Sequence, residues 1–220
     1  MKRIAAFFSR EHVILGVYIL LSFITSIQDC LGQVSKYNNY IIFRQSIVHL
    51  VDKANLHIGY PKEYDDIFLY HPSFCILFAP FSLMPLEAGL VFWLVFCSVI
   101  LFYGIKRLPL DYRYKVFFWW YILIEPNTSV HNEQTNPVIG ALGLFTFSFL
   151  EKGKTKWAAR FPVLTFCIKG YGLIFAALFL FYPKRRAYIF YSVLWIILLA
   201  LLPFPLAGKT YFFQLFSGLT

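Results

Sequence analysis

The sequence predicts an all-α integral membrane protein, a polytopic helical bundle of about five to seven full or half spans with interfacial helices. Of its 220 residues, 59% are hydrophobic and 21% are aromatic, and the mean hydropathy is +0.63. These values exceed those of ordinary globular domains. Fourteen of the 20 Lys and Arg residues lie in four clusters beside apolar runs, as the positive-inside rule predicts: Lys2, Arg3 and Arg10; Lys106, Arg107, Arg113 and Lys115; Lys152, Lys154, Lys156 and Arg160; and Lys184, Arg185 and Arg186.

The net charge of +9 is explained by these clusters, so we expect no nucleic-acid partner. A nucleic-acid-binding surface would instead collect its basic residues on one face, with stacking aromatic residues between them. The four cysteines have no metal or redox spacing, and we expect no metal and no cofactor. The basic start and the lack of a clear small-x-small cleavage site predict an uncleaved first span with a cytoplasmic N-terminus, in a plasma membrane of the bacterial inner-membrane type.

The first span is predicted over residues 12–27, and residues 29–72 form the long polar interval of the chain. That interval holds three of the five histidines and five of the 11 acidic residues. Polar groups at this density are costly in hydrocarbon, so we place the interval at the outer membrane face. Within it, the apolar residues of 40–51 have helical spacing, which predicts an amphipathic helix at the interface.

The remaining apolar runs predict full and partial spans. Residues 73–84 are too short for a crossing and predict a helix that dips into the outer leaflet, whereas residues 86–105 predict a full crossing. After residue 115, two arms, 116–124 and 137–150, are predicted to pair around a polar tip in a water-filled cavity. Two half-spans within 157–182 are predicted to meet at Lys169. A last span is predicted over 187–202. Residues 1–220 therefore form a single transmembrane domain.

Three polar features within this apolar chain are candidates for chemistry. A lysine in the middle of an apolar run costs a few kcal/mol or more unless it is paired or wetted. Lys169 is therefore a candidate to hold an anionic phosphate, to pair with Glu125 or Glu133, or to snorkel to the interface from a short half-span. Asp29, just past the first span, is a candidate general base or an ordinary polar residue next to a span end. Residues 133–136 offer one carboxylate and two amides, suited to sugar hydroxyls or to a solvated turn.

Two blocks of the sequence resemble glycosyltransferase family 87. The first block contains Tyr70-His71-Pro72, the LFAP run of residues 77–80, Met84-Pro85 and Trp93. In the second block, residues 133–136 are similar to the family's Gly-Gln-x-Asn, and Lys169 follows some thirty residues later within CIKGYG. The resemblance covers most of residues 35–190 and is closest to the N-terminal half of a family member.

This resemblance implies a GT-C-like membrane enzyme that uses a polyprenyl-phosphate sugar. The family's usual Asp in the first outer loop is replaced here by Asn38-Asn39, and an amide cannot take up a proton at neutral pH. The role of the base then falls to Asp29, and Lys169 faces the donor phosphate. The expected substrate-binding residues are Asn38, Asn39, Tyr40, Tyr70, His71, Glu133, Gln134, Asn136 and Lys169.

The function expected from these features is transfer of a hexose, mannose-like, from a polyprenyl-phosphate donor to a glycan or lipid acceptor on the outer face. The partners would be this lipid-linked donor, the acceptor and membrane lipid. One alternative is a truncated or degenerate relative without catalysis, which binds lipid or acts as a scaffold. A second alternative is a transporter, because half-spans that meet at a charge also occur in transporters.

Overall fold

The chain folds as an all-helical protein, as the sequence predicts. The computed structural model describes residues 2–31, 37–123, 129 and 132–217. Within these residues the β-structure is limited to one isolated bridge between Gly59 and Ile67. The α-helices are α1 (Lys2–Phe8), α2 (Glu11–Cys30), α3 (Asn38–Val51), α4 (Pro72–Ser82), α5 (Leu86–Arg107), α6 (Tyr112–Ile122), α7 (Asn136–Glu151), α8 (Thr155–Ala158), α9 (Arg160–Ile168), α10 (Arg185–Ala200) and α11 (Phe204–Ser217), and a 3₁₀ helix (Gly170–Phe181) lies between α9 and α10.

Two of these helices are long and apolar enough to cross a membrane. They are α2, with 20 residues, and α5, with 22; α10 and α11, bent by 91° at their junction, make a third span if they are counted together. Three further helices, α4, α7 and the 3₁₀ helix, are apolar but shorter than the ~20 residues of a full crossing. The predicted break at Lys169 is confirmed, because this residue is extended, with φ −145° and ψ 126°. The chain is therefore a helical membrane protein of full and partial spans.

Helix α5 lies between α2 and α7, and small residues allow both contacts. On the α2 side, the Ser22 and Ser98 hydroxyl oxygens are 2.5 Å apart and form a hydrogen bond. On the α7 side, a Cβ added at Gly104 would lie 3.2 Å from the Ala141 Cα, so the two backbones approach closely. Small residues and interhelical hydrogen bonds are the usual means of association in membranes.

An aromatic cluster joins α3 to α4 and α5. The Phe43 ring contacts the rings of Tyr70, Phe74, Phe78 and Trp93 edge to face, with centroid distances of 4.9 to 6.2 Å. Edge-to-face pairs of this kind are favourable beyond the apolar area that they bury. Helix α3, predicted as a helix at the interface, is therefore packed into the core over much of its surface.

Two expectations about helix ends are corrected by the structure. Helix α2 continues to Cys30 and includes Asp29, which is buried, whereas the sequence placed this residue beyond the span. Helix α11 follows the predicted last span, and the sequence analysis assigned no helix there. In α11, Gly208 has a φ of 70° and divides the element into two helical pieces.

Candidate functional site

Two buried carboxyl groups from distant parts of the chain lie near each other. Asp29, in the last turn of α2, is 5% exposed, and Glu133, just before α7, is 2% exposed. Burial, and then the nearby charge of Asp29, raise the pKa of Glu133 to about 8, against a smaller lowering by the Asn39 backbone N–H. The Glu133 Oε1 has no hydrogen-bond partner among the described residues. Glu133 is therefore mostly protonated at neutral pH.

The backbone of Glu133 has a left-handed conformation, with φ 47°. A non-glycine residue there costs of order 1–3 kcal/mol and persists only where the surroundings enforce it. The Trp93 indole N–H donates to the Glu133 carbonyl over 3.2 Å and helps to fix this turn. Glycine adopts such a φ without penalty, and the similar Gly-Gln-x-Asn pattern has glycine at this position. Glutamate at position 133 therefore strains the backbone, which glycine there would not do.

A chain of polar groups connects this turn to Lys169. The Lys169 ammonium donates to Asn136 Oδ1 over 3.2 Å, and Asn136 Nδ2 donates to Gln134 Oε1 over 2.6 Å. The Tyr171 hydroxyl also lies 3.5 Å from Asn136 Oδ1. The alternative ion pair between Lys169 and Glu133 does not occur, and Glu125 lies outside the described residues. Lys169 is thus held by an amide and keeps its positive charge uncompensated by a carboxylate in the described structure.

An apolar groove of about 940 Å³ begins at this polar chain. Asn136 lines the groove, so the groove and the Lys169 ammonium share a neighbour. The walls of the groove come from α5, α6, α7 and the 3₁₀ helix and include Leu101, Tyr121, Ile122, Gly140, Gly143, Leu144, Phe175 and Leu178. This arrangement suits a ligand with a long apolar part and an anionic end.

The asparagines at the start of α3 lie next to the Glu133 turn. Asn39 Nδ2 donates to the Asn132 carbonyl over 2.9 Å, and Asn38 Oδ1 accepts from the Asp65 backbone N–H over 3.0 Å. The structure therefore brings together Asp29, Asn39 and Glu133. Asn136, the partner of Lys169, is three residues after Glu133, so the chain between them spans at most about 10 Å.

Three other predicted residues have structural contacts of their own. Tyr40 is fully buried, and its hydroxyl donates to the Phe81 carbonyl over 3.1 Å. His71 caps α4 by accepting from the Ser73 N–H over 3.2 Å, and burial lowers the pKa of its imidazole. Burial also raises the pKa of Tyr70 to about 12, and its hydroxyl lies beside Thr135. Among these three, Tyr70 is the one that contacts the 133–136 segment.

Comparison with protein families identifies the chain. The model of glycosyltransferase family 87 matches residues 68–220. The chain belongs to glycosyltransferase family 87. The match includes Glu133, Gln134, Asn136 and Lys169, whereas Asp29 precedes it. Searches of curated proteins and of solved structures each found no match. Together with its apolar helices, this membership makes the chain an integral membrane protein of a glycosyltransferase family.

Several residues of this candidate site were missed in the sequence analysis. Tyr171 was not singled out because a tyrosine in an apolar run has no signal that distinguishes it from core packing. Gly140 and Gly143 share one face of α7 and line the groove. Two small residues at this spacing were the sequence feature that could have indicated the groove. No group of three or more His, Cys, Asp or Glu side chains with metal-binding proximity occurs in the described part of the chain.

Proposed function

We propose that this family 87 protein transfers a hexose, mannose-like, from a polyprenyl-phosphate donor to a hydroxyl of a glycan or lipid acceptor at the outer membrane face. The observation that carries the proposal is the apolar groove that begins at Asn136, the hydrogen-bond partner of Lys169. A polyprenyl phosphate is an apolar chain with an anionic end. The chain would lie in the groove, and the phosphate would lie at the Lys169 ammonium.

The reaction would be a single displacement at C1 of the hexose. The acceptor oxygen forms the new bond to C1, and its proton passes to the Asp29 carboxylate. The bond between C1 and the phosphate oxygen breaks, and its electron pair stays on that oxygen. Because Lys169 is placed to neutralise this negative charge, it would stabilise the transition state as well as the bound donor. One displacement inverts the configuration at C1.

Glu133 would support Asp29 in this reaction by holding the single proton that the buried pair carries at neutral pH. Two ionised carboxylates at close range repel each other, and such a pair titrates as one unit. A protonated Glu133 donates hydrogen bonds, and the 133–136 segment would thereby orient sugar hydroxyls. Asn38 and Asn39, at the start of α3, and Tyr70 would complete this sugar site.

We expect Lys169→Ala to lower kcat/KM for the donor at least about 100-fold, the usual effect of removing one donor that stabilises developing negative charge. The assay offers radiolabelled polyprenyl-phosphate mannose to the full chain in nanodiscs. Lys152→Ala, at an exposed lysine beyond α7, is the matched control. Equal turnover by both variants would contradict the proposal, and donor binding without turnover by the unaltered chain would favour the non-catalytic relative.

Filling the groove is expected to weaken donor binding without disturbing the fold. A Cβ at Gly140 meets its nearest heavy atom, Leu101 Cδ1, at 3.7 Å, which is an ordinary contact, so Gly140→Leu adds its branched end to the groove. We expect the donor affinity, measured by equilibrium binding in nanodiscs, to fall about tenfold or more, a loss of about 1.4 kcal/mol.

Gly16→Leu is the control for this change, because it makes the same helical substitution where nothing lies within 4 Å of the added Cβ. Its donor affinity should equal that of the unaltered chain. Unchanged affinity of Gly140→Leu would place the donor's apolar chain elsewhere.

A further inference from the structure

A second polar site lies where the loop after α3 meets α11. Two adjoining cavities of about 320 and 260 Å³ share Lys53, Tyr211 and Gln214 in their walls. We call them together the cationic pocket, because Lys53 lines both and Lys209 lines the second. The Tyr211 hydroxyl donates to the Ala54 carbonyl and joins α11 to the loop.

Among the described residues, neither lysine of this pocket forms an ion pair with an acidic side chain. The ion pairs found in the described structure are His49 with Glu63 and Lys106 with Glu11, so neither pocket lysine is neutralised there. The other polar groups that line the cavities are those of Asn55, His57, Thr210, Tyr211 and Gln214, and no carboxylate lines them. The Tyr211 hydroxyl already donates to Ala54. Two ammonium groups with the Thr210 hydroxyl and the Asn55 amide N–H match an oxyanion.

The backbone holds Lys53 in a conformation that favours a different residue. Lys53 has a φ of 56° and directly follows the C-cap of α3. The Ala54 N–H donates to the His49 carbonyl over 2.9 Å, which closes the helix end. Glycine is the usual residue at such a left-handed position, and any residue with a Cβ is strained there. If the position served the fold alone, glycine would be the better residue, which points to a use for the ammonium.

Lys209 lies on α11 and lines the second cavity. It follows Gly208, whose φ of 70° interrupts α11. From these placements we infer that the cationic pocket binds a phosphate group, either free phosphate or the headgroup of an anionic phospholipid. Leu206 and Phe213 of α11 are exposed apolar residues next in sequence to the pocket residues Ala207 and Gln214, and they suit the lipid source. This site is separate from the Lys169 chain and does not rest on the proposed transferase activity.

The test measures binding to the full chain in a neutral detergent. One arm titrates inorganic phosphate at constant ionic strength, and the other titrates short-chain phosphatidylglycerol against short-chain phosphatidylcholine. We expect Lys53→Gly and Lys209→Gln each to weaken binding about tenfold, whereas Lys62→Gln, at an exposed lysine of the same loop, leaves it unchanged. Saturable binding of inorganic phosphate identifies a general phosphate site, and binding of phosphatidylglycerol alone identifies a headgroup site.

Lys53→Gly separates ligand binding from folding. Because glycine removes the strain at this φ, the thermal midpoint of the variant without ligand should be equal to or about 2–4 °C above that of the unaltered chain. Weaker binding in a protein that is at least as stable cannot be attributed to misfolding. Binding of neither probe, or binding that both pocket variants retain in full, would overturn the inference.

Discussion

Asp29→Asn is expected to reduce sugar transfer by about 10³-fold or more while the donor still binds. A positioned general base contributes roughly 10²–10⁴-fold to a rate, and an amide cannot accept the acceptor's proton at neutral pH. The substitution is nearly isosteric, so the buried end of α2 should keep its packing. In the proposed mechanism the donor is bound by Lys169 and the apolar groove, at the other end of the 133–136 segment. Donor binding should therefore change less than about twofold.

Turnover and donor binding must be measured on the same preparation to test this prediction. Asp111→Asn, at an exposed aspartate before α6, is a suitable control, because it makes the same chemical change far from the buried pair. Asp29→Glu should regain part of the activity, since a carboxylate is restored with a different reach. Full turnover by Asp29→Asn would exclude Asp29 from proton transfer and would direct attention to Glu133.

Glu133→Gln is expected to make the fold more stable than the unaltered chain at alkaline pH. Burial raises the pKa of Glu133 in the fold to about 8, from an ordinary value of 4.5. Between these values the unfolded chain has released the proton and the folded chain retains it, so stability falls as the pH rises through this window. The glutamine variant lacks this titration. Its advantage should therefore grow from pH 5 to pH 9, by on the order of 3–5 kcal/mol.

Thermal unfolding in detergent at several pH values measures this effect. At pH 5, Glu133 is protonated in the fold and nearly isosteric with glutamine, so the two midpoints should be close. Glu87→Gln, at an exposed glutamate of α5, should follow the profile of the unaltered chain. Parallel profiles for Glu133→Gln and the unaltered chain from pH 5 to pH 9 would show that Glu133 is not a buried, protonated carboxyl.

The sequence predicted the helical class and most helix positions because those depend on local hydrophobic periodicity. The break at Lys169 was predictable for the same reason, since a charge and a glycine interrupt an apolar run there. The end of α2 was not predictable, because Asp29 remains helical and is buried beside the carboxyl of Glu133, more than one hundred residues away in the sequence. Helix α11 was missed because Pro203 before it and Pro205 and Gly208 within it are common helix breakers. Pro205 is tolerated because it lies in the first turn of the helix.

The candidate site was predicted in composition but not in arrangement. Gln134 and Asn136 were assigned to sugar hydroxyls and Lys169 to the phosphate, and the structure joins the three by hydrogen bonds. The neighbourhood of Glu133 and Asp29 had no sequence signal, because it depends on how α2 and α7 pack against α5. The groove was likewise hidden, since its walls are apolar residues of four helices whose individual positions resemble ordinary core.

The left-handed backbone at Glu133 has a practical consequence for engineering this protein. Random mutagenesis followed by selection for heat resistance should enrich glycine at this position, because glycine relieves the backbone strain and removes a buried acid together. The proposed transfer reaction depends on the side chain that such a selection discards. A more heat-stable variant obtained in this way would be easier to purify and crystallise, yet it would lack the Glu133 side chain of the proposed site. Activity must therefore be measured in every round of selection.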